Sequence, residues 1–122
     1  VKDFLYPQTK RLVDWISQKY DRPIEYLWDR SPDSGVFRHQ KDLKWFGVLI
    51  KIDWSKLEAR QEGEIEVLNL KLDHVSQLLE ERPFYPAYHM NKKYWISIPL
   101  DGRVEDDLLF ELVGKSWSLT KK

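Results

Sequence analysis

Apolar residues recur every three to four positions near both ends of the chain and every second position through most of the middle. From Leu5 to Tyr20 the apolar positions Leu12, Trp15/Ile16 and Tyr20 are separated by Lys10, Arg11, Asp14, Gln18 and Lys19, the spacing of an amphipathic helix. Pro7 suits its first turn, and Pro23 requires that it stop earlier. Residues 21–35 combine Asp, Pro, Ser and Gly with Tyr26 and Trp28, which predicts a loop whose aromatics fold back onto the core. Val36–Gln40 and Lys44–Asp53 then read as a hairpin. Its second arm places Phe46, Val48, Ile50 and Ile52 on one face and Trp45, Gly47, Leu49 and Lys51 on the other. One face is expected to pack and the other to be half open, with Lys41-Asp42 as the turn.

Trp54 to Arg60 is a charged connection ended by Gly63. In the third strand, Glu64 to Leu72, Ile65 and Val67 alternate with acids before Leu68, Leu70 and Leu72 take the opposite parity. That switch predicts a bulge near Val67-Leu68. Asp73 is a candidate N-cap for a short helix, His74 to Glu81, stopped by Pro83. Pro83 to Pro86 enforces an extended lead into the segment Tyr88 to Gly102. There a polar cluster (His89, Asn91, Lys92, Lys93) precedes a strand with Tyr94, Ile96, Ile98 and Leu100 on one face and Trp95 and Ser97 on the other. Asp101-Gly102 closes it as a turn. Glu105, Asp106 and Asp107 complement the positive end of a last helix whose buried stripe is Leu108, Leu109, Leu112, Val113 and Trp117 and whose far end carries Lys121-Lys122. The order α-β-β-β-α-β-α, without long crossovers among the first three strands, predicts an α+β two-layer sandwich: a mainly antiparallel sheet with helices on one face.

Composition narrows the class. A chain of 122 residues, 42% hydrophobic and 14% aromatic with six Trp, supports one domain over residues 1–122 and is too apolar for disorder. Its longest apolar run is far short of the roughly 20 residues that cross a bilayer, so no membrane association is expected. With no cysteine and no secretion-type leader at the start, a cytoplasmic location is the default expectation; the first residue is Val, which leaves room for residues before it. Twenty basic groups balance twenty acidic ones, but residues 1–60 hold 12 basic against 9 acidic. That balance disfavours strong non-specific affinity for nucleic acid and permits a local basic patch.

Catalytic chemistry is not expected. There is no Cys, no Ser in a nucleophile elbow and no glycine-rich phosphate loop, and His39, His74 and His89 lack metal-ligand spacing. No cofactor is called for.

The run His89-Met90-Asn91-Lys92-Lys93-Tyr94-Trp95, with Leu100-Asp101-Gly102, Asp106, Leu112-Val113 and Ser116-Trp117, resembles the signature of the MmcQ/YjbR family of small bacterial proteins. Phe37-Arg38-His39, Lys44-Trp45-Phe46 and Leu68-Asn69-Leu70-Lys71 extend the likeness over roughly Val36 to Thr120. Leu72 stands where relatives often carry Cys, and Ser116-Trp117 replaces Ser-Tyr. The resemblance implies a CyaY-like or secretion-chaperone-like fold and a DNA-binding role through two wing-like loops. A frataxin-like fold also raises iron, but only Glu105, Asp106, Asp107 and Glu111 approach the acidic density this would need, and helix-dipole pairing accounts for the first three.

Two functions from different classes follow. In the first, DNA is bound by a basic rim formed by Arg38, His39, Lys41 and Lys44 at the hairpin tip, Lys56 and Arg60 in the connection, and Lys92 and Lys93, around Trp45 and Trp95 as stacking surfaces. His89 and Asn91 are further candidate phosphate or ligand contacts, against the alternative that they tie down their own loop. Against the stacking role, Trp45 and Trp95 read as packing across strands with each other or under the first helix. Eight engaged cations would give a log–log salt slope on the order of −5 to −7. In the second, a protein partner or a second copy docks on the open sheet face and the Leu stripe of the third strand.

Overall fold

The computed structural model describes residues 3–81 and 83–121; Lys122, expected at the far end of the last helix, lies outside them. Helix α1 (Pro7–Tyr20) begins with Pro in its first turn and ends on Asp21 in the left-handed region at φ 54°, two residues before Pro23. It buries Gln8, Thr9, Leu12 and Ile16. Strands β1 (Gly35–Arg38), β2 (Trp45–Asp53) and β3 (Glu64–Lys71), helix α2 (Val75–Glu81), strands β4 (Tyr85–Pro86) and β5 (Trp95–Pro99) and helix α3 (Asp106–Thr120) follow. The five strands form one sheet in the order β1-β2-β3-β5-β4, every neighbouring pair antiparallel. The expected α+β architecture is present, with β4 added where only an extended lead was foreseen.

One sheet face lies under the helices. Phe37, Phe46, Leu49, Leu68, Leu70, Ile96 and Ile98 pack there against Leu12 and Ile16 of α1 and Leu109, Leu112 and Val113 of α3. The other face carries a second apolar cluster, Val36, Val48, Ile50, Ile65 and Val67, which Trp54 and loop residues cover in part. Both sheet edges are blunted. Glu25 bridges to Val36 beside β1, and β4 is two residues long and ends in Pro, which has no N–H to offer a further strand.

Parity differs from the expectation in two places. No bulge occurs at Val67-Leu68. The β2–β3 register runs unbroken from Val48↔Asn69 to Asp53↔Glu64, so Ile65 and Val67 point to one apolar face and Leu68 and Leu70 to the other. The irregularity lies instead between β1 and β2, where Phe37 opposes Gly47 but Arg38 opposes Trp45. The extra residue, Phe46, is turned to the helix side, while Trp45, Val48, Ile50 and Ile52 share the opposite face. Gly47 suits this crowded turn-over, since a Cβ there would come within 3.2 Å of the Phe37 ring.

Ser116 of α3 repairs the ladder that the bulge interrupts. Fully buried, its Oγ donates to the Phe46 carbonyl (2.7 Å) and accepts from the Lys71 N–H (3.1 Å). A second buried polar tie secures the start of α1: Glu66, 3% exposed, accepts from the Leu5 N–H (2.8 Å) and the Thr9 hydroxyl (2.7 Å). Because Tyr6 at the N-cap makes no side-chain capping bond, Glu66 contributes a carboxylate at the positive end of the helix from the neighbouring strand.

Candidate nucleic-acid interface

The antiparallel order brings three segments to one end of the sheet. They are the β1–β2 tip (residues 39–44), the loop between β4 and β5 (residues 87–94) and the end of α3, because Trp45 opens β2, Lys71 closes β3 opposite Trp95, and His39 meets Thr120. The β2–β3 connection is at the other end. A nine-residue strand such as β2 spans about 27 Å, so Lys56 and Arg60 cannot join the rim expected for them.

The tip is closed by two backbone bonds, His39 N–H to Lys44 O (2.8 Å) and Leu43 N–H to His39 O (3.0 Å). Asp42 Oδ1 accepts the Lys44 N–H, and Leu43 takes a positive φ of 60°. Lys41 and Lys44 are exposed. Arg38 is committed elsewhere: its guanidinium forks onto Glu25 (2.6 and 2.9 Å), and that hydrogen bonding holds the Glu25 carboxyl below the usual range. Arg22 joins the network through the Arg38 carbonyl (2.6 Å).

His39 is 4% exposed. Its ring lies 4.2 Å from Trp117 and 5.1 Å from Phe46, centroid to centroid. Thr120 spends its hydroxyl proton on the Ser116 carbonyl (2.7 Å), so its oxygen must accept from His39 Nε2 at 2.8 Å. Burial lowers the His39 pKa. Asp42 opposes that shift, while Lys121, Arg22 and Lys44 reinforce it. His39 is therefore a neutral core histidine and not a surface cation.

In the other loop, Asn91 is a turn former. Its Oδ1 accepts the Lys93 N–H (2.9 Å) and its carbonyl accepts from Tyr94 and Trp95. The turn lifts Tyr94 off the packed face expected for it and leaves the ring 43% exposed, with Lys93 and Lys71 Nζ at 5.4 and 5.9 Å from its centroid. Lys92 and Lys93 are exposed. So is His89, at φ 64°, its ring against Tyr88. Trp95 is half-buried in the second apolar cluster. Trp45 is likewise half-buried and meets Trp28 edge to face at 5.7 Å. Neither tryptophan of the expected rim is an open stacking platform.

Sequence reasoning missed Lys71, Tyr94 and Lys121 at this end, and Trp28, Tyr88 and Met90 on the open face. Only the first two had a signal, the pairing of Lys71 with Trp95 once the register is known. The opposite end gathers Glu58, Glu62, Glu64, Asp101, Glu105, Asp106 and Asp107, partly offset by Arg11 on Asp106, by Arg103 on Asp101 and by Lys56 and Arg60 in the β2–β3 connection. A chain of zero net charge is thus polarised along the strands. Among the described residues no group of three or more His, Asp or Glu could hold a metal ion, and no helix is long and apolar enough to cross a membrane.

The YjbR family model matches residues 17–119. The chain belongs to the YjbR family. This YjbR domain is 32% identical over 108 residues to YyaQ of Bacillus subtilis, covering 87% of the chain and 92% of that protein. It is 31% identical over 99 residues to YbdF of Escherichia coli O157:H7, covering 79% of the chain and 71% of YbdF. The fold recurs in a crystal structure of a Pseudomonas syringae protein at TM-score 0.88 and 32% identity, covering 92% of this YjbR chain and 97% of that one. Deinococcus radiodurans DR2400 matches at TM-score 0.67 and 25% identity, covering 90% and 78% respectively.

Proposed function

We propose that this YjbR domain is a non-enzymatic DNA-binding module whose two loops at one end of the sheet, the 39–44 tip and the 87–94 loop, engage the phosphate backbone. The observation that carries this reading is the charge polarity of a neutral chain. Lys41, Lys44, Lys92 and Lys93 stand exposed on those two loops, with Lys71 and Lys121 flanking them and Asp42 and Asp73 nearby, whereas Glu58, Glu62, Glu64, Glu105 and Asp107 lie at the opposite end. Backbone contacts of this kind position a protein on nucleic acid without specifying sequence. A local basic patch suffices for modest affinity where net charge would give none.

Of the two surfaces named for a protein partner, the Leu stripe is withdrawn, because Leu68, Leu70 and Leu72 are at most 1% exposed beneath the helices, while the open sheet face remains. The test is binding of labelled duplex DNA by the whole chain at low salt, beside a Lys41→Ala/Lys44→Ala/Lys92→Ala/Lys93→Ala variant. Binding by the parent chain and its loss in the variant are expected. No binding by the parent at low salt overturns the reading.

A further inference from the structure

We infer that the cleft on the open sheet face is a seat for a single planar nucleobase, carried either by a free nucleotide or by one residue of a single strand. The cleft encloses about 330 Å³ over a floor of Val48 and Ile50, with Trp28 and Trp45 on one side and Tyr88 and Met90 on the other. Its size falls at the lower end of small-molecule sites, too small for a partner helix about 10 Å across. No Asp, Glu, Lys or Arg lines it, so the buried part of an occupant is uncharged. Its aromatic walls favour a flat π-system. Ser31, Ser34 and His89 at the margin supply the hydrogen-bonding groups that a heterocycle edge requires, whereas a plain hydrocarbon would leave them idle.

The walls are built and held. Asn69 Nδ2 donates to the Tyr88 carbonyl (3.0 Å) and its Oδ1 accepts from Ser97, whose Oγ also takes the Tyr88 N–H (3.1 Å). The next residue, His89, is kept in the left-handed region at φ 64°, a conformation uncommon outside glycine and frequent at ligand sites. Trp28 remains 38% exposed, a large apolar ring left in water on a sheet whose other face is sealed.

Two of the segments that wall the cleft also carry lysines of the proposed DNA contact. Lys44 immediately precedes Trp45, and Lys92 and Lys93 follow Met90. A nucleotide with its base in the cleft would present its phosphate toward that rim. This step rests on the DNA-binding reading, and it deepens that reading to single-stranded substrate, since a duplex must first unstack a base at a cost of a few kcal/mol.

The experiment follows the indole N–H signals of Trp28 and Trp45 in ¹⁵N-labelled protein, assigned through Trp28→Phe and Trp45→Phe, as AMP, a single-stranded decanucleotide and its duplex are added. Both indoles are expected to move with AMP and with the single strand. Trp28→Ala, and Ser31→Trp filling the mouth without removing a wall, are each expected to lower the single-strand to duplex affinity ratio roughly five-fold or more. Indoles unmoved by AMP and by the single strand, while the Lys92 and Lys93 amides shift, overturn the base seat and leave the phosphate reading standing. Indoles moved by AMP with no oligonucleotide bound support the seat as a free-nucleotide site and overturn the DNA reading instead.

Discussion

The number of cations that reach DNA is the quantity the structure changes most, and a salt titration reads it. Eight basic residues looked eligible on sequence grounds. Arg38 is forked onto Glu25, His39 is buried and neutral, and Lys56 and Arg60 sit at the far end of a strand about 27 Å long. Four of the eight are exposed lysines on the two loops: Lys41, Lys44, Lys92 and Lys93. At about 0.9 counterions released per neutralised phosphate, four contacts give a log–log slope of about −3.6, and eight would give about −7. Between 50 and 200 mM salt, affinity for duplex should therefore fall about 150-fold, against roughly 2 × 10⁴-fold for the larger set. Fluorescence anisotropy of a labelled duplex at four or five salt concentrations separates these values. Each single Lys→Ala change among the four should flatten the slope by about 0.9, whereas Lys56→Ala and Arg60→Ala should leave it unchanged. A slope near −7, or a flattening by Lys56→Ala equal to that by Lys92→Ala, would refute the assignment of the basic end.

Three further outcomes are expected from the packing. Ser116→Ala strands the Phe46 carbonyl and the Lys71 N–H at the bulge and should cost about 2–4 kcal/mol in a urea unfolding series, a loss under 0.5 kcal/mol showing that the bulge does not depend on it. Glu66→Ala leaves the Leu5 N–H and the Thr9 hydroxyl without their acceptor and should cost a similar 2–4 kcal/mol, while Thr9→Val in the Glu66→Ala background should add little, which a double-mutant cycle checks. Burial lowers the folded-state pKa of His39 below its unfolded value of about 6.5. As pH falls from 7.5 through that value, the unfolded chain takes up a proton that the folded chain refuses. Stability should decline on the acid side and be fully present above it; His39→Phe should flatten this part of the pH profile, and an unchanged profile would contradict the buried neutral assignment.

How much was legible follows from what periodicity can and cannot encode. α1 and α3 could be read because each buries one stripe and wets the other, so a 3.6-residue beat has a polar background to stand against. In β2 and β3 both sheet faces are apolar, and alternation then carries no sign of which side a residue takes. The switch from Ile65 and Val67 to Leu68 and Leu70 imitated a bulge in a regular strand, while the real one at Phe46 was concealed inside Trp-Phe-Gly-Val. Arg38 and His39 failed as surface cations for a different reason. Whether a basic side chain is available depends on its partner, and those partners are remote: Glu25 lies 13 residues before Arg38 across a loop, and Thr120 lies 81 residues after His39.

The same remoteness explains what the family-like motif encodes. Asn91 closes a turn, Asn69 fixes Tyr88, Ser116 stitches the bulge, and Trp117 stacks at 4.3 Å on Tyr20 and meets His39. These residues set the two loops side by side and build one wall of the cleft; the groups left facing solvent include lysines, His89, Tyr94 and Trp28. A motif of this composition identifies the scaffold strongly and its ligand weakly, because its residues spend their hydrogen bonds inside the protein. Discriminating power should therefore lie in the residues that face solvent, whether inside the motif, as Lys44, Lys92 and Lys93 are, or outside it, as Trp28 and Lys41 are. Exchanging Trp28 or the tip lysines should alter what is bound while leaving the fold intact, whereas exchanging Ser116 or Asn69 should damage the fold and affect binding only through it.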